Sequence, residues 1–151
     1  MNAGKRFEAK MRQSLSRLDG YVLRLHDGGA AIIERTPADF LYFSPSGRAI
    51  AIECKATSGK SLRHDRVTQL DDLLRFARVS DSTAAFVAVN FYGADVRLIN
   101  RCIFVPAHAF AAHALTGGRA SMSISTAMEV GWEAPKARGN VWDLRGLEGL
   151  C

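Results

Sequence analysis

The stretch Thr36-Pro37-Ala38-Asp39-Phe40-Leu41-Tyr42-Phe43-Ser44-Pro45-Ser46-Gly47-Arg48-Ala49-Ile50-Ala51-Ile52-Glu53-Cys54-Lys55-Ala56-Thr57 organises the chain. Two apolar runs flank Ser44-Pro45-Ser46-Gly47, which predicts a β-hairpin. Pro37 fixes φ and favours an extended entry to the first run, with Asp39 at its mouth. In the second run Ile50, Ile52 and Cys54 alternate with Ala49, Ala51, Glu53 and Lys55. A strand there puts Glu53 and Lys55 on one face beside small alanines, and Ile50, Ile52 and Cys54 on the other.

A hairpin of this kind can bring Asp39 beside Glu53. Two carboxylates at one point repel unless a cation or a proton sits between them. Mg²⁺ takes oxygen ligands and uses one or two carboxylates, waters and substrate phosphates. A lysine beside such a site can orient a water or stabilise charge building on a phosphate. Asp followed by Glu-x-Lys on the next strand therefore has the makings of a metal-dependent phosphodiesterase site. Glu53-Cys54-Lys55 alone would read as an ordinary surface pair. Pro37, Asp39 and the hairpin together reverse that preference.

The stretch resembles the PD-(D/E)xK nuclease superfamily, with Pro37-Ala38-Asp39 in place of the usual adjacent Pro-Asp. Within it, Thr36-Pro37-Ala38-Asp39, Gly47-Arg48 and Ile52-Glu53-Cys54-Lys55-Ala56-Thr57 are most similar to the Holliday junction resolvases of the RecU and archaeal types. The resemblance extends from Gly4 to about Val105. It implies a restriction-endonuclease-like α/β core: a central mixed β-sheet flanked by helices, in the order α-β-β-β-α-β. It further implies a Mg²⁺- or Mn²⁺-dependent, structure-selective DNA endonuclease that makes paired symmetric nicks in four-way junctions. Asp39 and Glu53 would hold the metal, with the Cys54 backbone carbonyl as a further ligand, and Lys55 would serve the attacking water. RecU-type enzymes carry a long stalk between the Asp and Glu-x-Lys strands. The short connection from Asp39 to Glu53 leaves no room for one, so the layout is closer to the archaeal type on this point, while the Thr36-Pro37-Ala38-Asp39 wording is closer to RecU.

Composition agrees with a nucleic-acid enzyme. The 151 residues carry 20 Lys and Arg against 15 Asp and Glu, a net charge of +5. The first 75 residues hold 13 of the basic residues and 9 of the acidic ones, so the excess lies in the half with the carboxylate motif. That favours an anionic partner, of which nucleic acid is the commonest large one. A chain of this length forms one domain, here 1–151, with 106–151 as a C-terminal extension. Cys54, Cys102 and Cys151 are odd in number and widely spaced, which fits neither a disulfide framework nor a zinc site. No apolar run approaches a membrane span and the N-terminus lacks a signal-peptide core, so an intracellular location is expected.

Further site residues come from the chain in order. A helix over 4–18 buries Phe7, Met11, Leu15 and Leu18. Its flank carries Lys5 and Arg6, which can meet DNA. Glu8 either pairs with Arg12 one turn on, or leans over the hairpin to complete the metal site. The resemblance supports the second reading, since these resolvases carry a first-helix glutamate at the Gly4-Lys5-Arg6-Phe7-Glu8 spacing. Tyr21–Leu25 predicts a strand; residues 30–35 fit a strand or a loop arm. Arg35 and Thr36 precede the motif and can touch a phosphate. After Lys55, the run with Thr57, Ser58, Lys60, Arg63 and Arg66 suits a phosphate track, and equally a solvated loop. His64 reads as a cap or surface residue. A second helix over 65–79 has a stripe of Val67, Leu70, Leu73, Leu74 and Ala77, bordered by Gln69. The resemblance gives Gln69 the placing of the water or the lysine. Thr83 to Phe91 predicts a central strand, and Asp95 to Val105 two short strands around Asn100-Arg101. An Ala-rich helix follows Pro106.

A symmetric junction needs two nicks and this chain offers one carboxylate cluster, so a homodimer is expected, with Phe104, Phe110 and Trp132 among its contacts. Two alternatives stay open: a repair or restriction-like nuclease on another DNA structure, and a non-catalytic DNA-binding module with a vestigial site.

Overall fold

A computed structural model describes residues 2–25, 36–93 and 100–151, with Asn100 described by its backbone alone. The expectations for Arg35, His26 and the 30–35 segment lie outside the described residues, as does the part of the predicted strand pair before Asn100.

Helix α1 (Ala3–Leu15) opens the chain, its N-terminus capped by Asn2, whose side chain accepts from the Lys5 backbone N–H. Three antiparallel strands follow, β1 (Tyr21–Arg24), β2 (Phe40–Phe43) and β3 (Ala49–Ser58). The β2–β3 turn closes through the Gly47 N–H to Ser44 O bond, with Gly47 at φ 88°, a conformation glycine adopts freely. Gly20, between α1 and β1, runs against the Phe43 carbonyl and the Tyr42 ring, where no side chain fits.

A short strand β4 (Ser61–Arg63), a 3-10 turn over His64–Arg66 and helix α2 (Leu70–Ala77) lead to β5 (Thr83–Tyr92). Strand β5 lies parallel to β3 over ten residue pairs, Ala49 opposite Thr83 through Ser58 opposite Tyr92. Such a pair needs a crossover, and α2 supplies it. The single predicted helix over 65–79 is thus split. Val67 leaves helical geometry at φ −95°, ψ 79°, and the β-branched pair Val67-Thr68 weakens the helix there. Strand β6 (Asn100–Pro106) carries Asn100 and Arg101 in the ladder, opposite Tyr92 and Phe91.

The remainder comprises α3 (Ala107–Thr116), β7 (Ser121–Ser123), α4 (Ile124–Val130), β8 (Trp132–Glu133), β9 (Lys136–Ala137) and β10 (Val141–Trp142), with a closing 3-10 turn over Leu147–Leu150. The central mixed sheet has the order β1-β2-β3-β5-β6-β8. β4 pairs with β7 and β9 with β10 in two small side sheets. The sequence signal from Ser121 onward is weak because these elements are two to seven residues long, too short for a period to show.

The sheet has two apolar faces. Phe7, Met11 and Leu15 of α1, with Trp142, Leu144 and Leu147, cover Ile50, Ile52, Cys54, Phe86 and Phe104. On the other face Leu73, Phe110 and Ala127 cover Ala51, Val87, Val89 and Ile103. The alternation read from β3 is what the two faces divide. Phe104 and Phe110 are fully buried, so neither is available to a partner subunit, contrary to expectation. Trp132 packs against Phe104, with ring centroids 5.8 Å apart. Among the described residues no helix is long and apolar enough to cross a membrane.

Candidate active site

The hairpin sets Asp39 at the start of β2, one residue before the Phe40–Ile52 pair, and so beside Glu53 on β3. Its backbone continues the ladder: the Asp39 N–H donates to Ile52 O and its carbonyl accepts from the Leu25 N–H. Its carboxylate Oδ2 accepts the Cys54 backbone N–H at 2.8 Å. Asp39 is thereby fixed from three directions, by β1, by β3 and by its own side chain.

Glu53 is buried in the middle of the sheet, 1% exposed. The Lys55 ammonium lies 2.9 Å from its Oε1, and the lysine side chain keeps 20% of its surface in solvent. A buried carboxylate is costly unless paired. Here the i,i+2 spacing of one strand supplies the partner on the same face and leaves the ammonium at the mouth of the site.

Glu8 pairs with Arg24 of β1 at 2.9 Å, not with Arg12. Both are partly exposed, which limits the pair to well under 1 kcal/mol of stability. Its consequence is positional: the bond turns Glu8 toward the end of β1, where Leu25 adjoins Asp39. The Cys54 thiol gives an internal reading of the cluster. Burial pushes it well up, and the negative charges of Asp39, Glu53 and Glu8 push it further. Asp39, Glu53 and Glu8 thus all lie within electrostatic reach of Cys54.

Among the described residues no three His, Cys, Asp or Glu side chains gather closely enough to form a ready-made cage for an ion. The donor set nonetheless suits a hard divalent cation, because Mg²⁺ needs only one or two carboxylates and completes its shell with water and substrate phosphate.

The phosphate-track residues divide. Ser58, Lys60, Arg63 and Arg66 are exposed. Thr57 is not: its buried hydroxyl donates to Ser61 O at 2.9 Å and ties off the turn at Gly59, φ 106°. The segment is also less of a loop than its composition suggests, since β4 pairs with β7. Arg63 folds onto Asp65 at 2.7 Å. Gln69 precedes α2 rather than lying on it, and its side chain accepts from the Thr68 hydroxyl at 3.0 Å. Lys5 and Arg6 are exposed on the first turn of α1, and Thr36 is half-buried. His64 meets His113 of α3, nitrogen to nitrogen at 2.8 Å, and takes no part in the carboxylate cluster. Arg24 was not legible as a site residue; a charged residue ending the apolar run Tyr21-Val22-Leu23 is the one signal it leaves.

Asp39 and Glu53-Cys54-Lys55 thus stand together on neighbouring parts of a mixed sheet flanked by helices. The 1.6 Å structure of Archaeoglobus fulgidus Hjc, a Holliday junction resolvase from an archaeal hyperthermophile, superimposes with a TM-score of 0.58 at 21% identity, covering 86% of this chain and 95% of that one. A likeness at that identity establishes the fold. The family model for archaeal Holliday junction resolvase (hjc) matches residues 1–109, and the chain belongs to that family. It is accordingly a structure-selective endonuclease of Holliday junctions. No curated protein sequence matches it.

Glu8→Gln tests what the first helix contributes. Cutting of a four-way junction is expected to fall about 10²-fold, the scale of one lost polar group at a reacting phosphate. The melting temperature should move by no more than a degree or two, as befits a partly exposed pair. Single-turnover cleavage beside a thermal melt reads both; an unchanged rate would leave Glu8 a surface partner of Arg24.

Proposed function

We propose that Asp39 and Glu53 hold a Mg²⁺ or Mn²⁺ ion, with the Cys54 backbone carbonyl and Glu8 as further ligands, in a PD-(D/E)xK-type site. The observation that carries this is the hairpin geometry: Asp39 Oδ2 accepts the Cys54 N–H at 2.8 Å beside the buried Glu53, and the Lys55 ammonium lies 2.9 Å from Glu53. A divalent cation there supplies a water of lowered pKa and neutralises charge on the phosphate.

The chain's own residues do the rest. Asp39, pinned by the Cys54 N–H, presents its carboxylate in one orientation. Glu53, enclosed by the sheet, does not swing out to solvent. Lys55 holds its ammonium at the site's mouth, where it orients the attacking water or stabilises the pentacoordinate phosphate. Gln69 stands at the start of α2 and assists Lys55 once its bond to Thr68 opens. Hydrolysis leaves a 5′-phosphate. Lys5, Arg6, Thr36, Ser58, Lys60, Arg63 and Arg66 hold the sugar-phosphate backbone, a sequence-independent role. Arg35 joins them from outside the described residues.

Two such sites on a homodimer make paired, symmetric nicks inside the cell, in DNA recombination and repair. A supercoiled plasmid that extrudes a cruciform tests this reading. With Mg²⁺ the protein is expected to yield linear plasmid from two nicks within one binding event, and sedimentation at micromolar concentration should give the mass of two chains. Singly nicked circles from a protein of monomer mass would reject paired cutting and leave a nuclease for other branched DNA.

A further inference from the structure

The three-residue turn between β9 and β10 lies on α1, beyond the residues that match the family. Its attachment is rigid. The buried Trp142 ring meets Phe7 edge-on at 5.4 Å, and the Trp142 N–H donates to the Ser14 hydroxyl at 3.0 Å. Gly139 and Asn140, at φ 86° and 59°, turn the backbone tightly over α1. A Cβ on Gly139 would stand 2.9 Å from the Arg17 guanidinium, so the glycine lets the turn sit directly on that group.

The arrangement collects four cations. Lys10 Nζ donates to Asn140 Oδ1 at 3.2 Å and lies 5.6 Å from the Trp142 ring centre. Arg17 donates to the Arg138 carbonyl at 2.7 Å. Lys136 and Arg138 are exposed beside them. Burial, and then the positive charge of Lys136, holds the Lys10 ammonium below the usual lysine range. Among the described residues none of the four is in an ion pair. The nearest acid on the following segment, Asp143, is taken by Arg145 at 2.5 Å. Neutral groups, the Asn140 amide and the Arg138 carbonyl, hold Lys10 and Arg17 in place.

Lys10 lies on α1 about half a turn round the helix from Glu8 at 100° per residue, and Arg17 stands in the turn just past the end of that helix. The patch therefore faces away from the carboxylate site. Four unpaired cations on a fixed ridge are complementary to a regular polyanion.

We propose that Lys10, Arg17, Lys136 and Arg138 form a second phosphate-binding surface, which grips a duplex arm of the junction away from the cut. This rests on the junction-resolvase reading above. A four-way junction sends duplex arms out on several sides of the crossover, and a surface remote from the scissile phosphate meets DNA only where an arm is long enough to reach it.

Arm length is accordingly the discriminating variable. The probes are four-way junctions of identical core with arms of about 25 and about 8 base pairs, in fluorescence anisotropy over a salt series. Lys136→Gln with Arg138→Gln is expected to weaken binding of the long-armed junction about tenfold and to lower the slope of log K against log salt by close to two units. Binding of the short-armed junction should stay within about twofold. Lys136→Glu with Arg138→Glu should enlarge the long-arm loss, and an unchanged thermal melt for either pair excludes unfolding as the cause. Equal losses on both arm lengths, or none on either, would overturn the proposal while leaving the cutting site intact. So would a loss confined to phosphatidylserine vesicles, which would assign the patch to a membrane surface. A wild-type protein that prefers no junction over linear duplex of equal mass would remove the resolvase reading itself, and this surface with it.

Discussion

Asp39→Asn and Glu53→Gln should each reduce cleavage of a four-way junction by at least about 10³-fold, the upper end for loss of one group that stabilises charge at a reacting centre. Binding of the same junction should persist or tighten. Both results follow from one change. Each substitution keeps the size of the side chain and removes a negative charge from a site that must hold a cation and admit a phosphate. Asparagine at 39 can still accept the Cys54 N–H through its amide oxygen, so the hairpin retains its shape. Glutamine at 53 no longer attracts the Lys55 ammonium, but it adds no buried charge. Gel-shift titration beside single-turnover cleavage separates the two effects. Cutting by both variants near the wild-type rate would remove these carboxylates from the site.

Lys55→Met should have a double effect. Cutting should fall to the level of the carboxylate variants, because the water or the charged phosphate loses its cationic neighbour. Stability should fall as well, by about 3 kcal/mol, the range for removing one partner of a buried ion pair. The asymmetry of burial sets the sign: Glu53 is enclosed while Lys55 reaches solvent, so losing the lysine leaves the enclosed charge without its closest cation. Adding Glu53→Gln to Lys55→Met should restore most of the lost stability and none of the activity. Urea unfolding of the single and double variants measures the coupling; an equal loss in both would show that the loss does not arise from leaving Glu53 charged without its partner.

The site was legible in the sequence where its parts are close along the chain. Asp39, the turn at Gly47 and the Glu53–Lys55 pair lie on one hairpin, and strand alternation alone decides which side chains share a face. Glu8 was legible as a candidate, but its partner was not. Arg24 reaches it from 16 residues away through the packing of α1 on β1, which no local spacing encodes. The split of the second helix escaped for a different reason. Val67 and Leu70 keep a helical interval although the backbone between them leaves the helix, so the apolar stripe survives its own interruption. Thr57 shows the limit of composition: a hydroxyl in a basic, glycine-containing run reads as a phosphate ligand until its donation to Ser61 O is seen. The β9–β10 hairpin was invisible because two-residue strands carry no period and Arg138-Gly139-Asn140 reads as any polar turn.

The packing of Trp142 on Phe7 also sets a timetable. Glu8 sits one residue from Phe7, and Phe7 completes its burial only against Trp142, 135 residues later. On the ribosome that interval takes on the order of ten seconds at typical elongation speeds. During it the hairpin with Asp39, Glu53 and Lys55 can already pair, while the first helix still lacks the tryptophan that seats it. A growing chain thus carries basic residues that attract nucleic acid well before its cutting centre is complete, and Glu8 is seated only once Trp142 has been made.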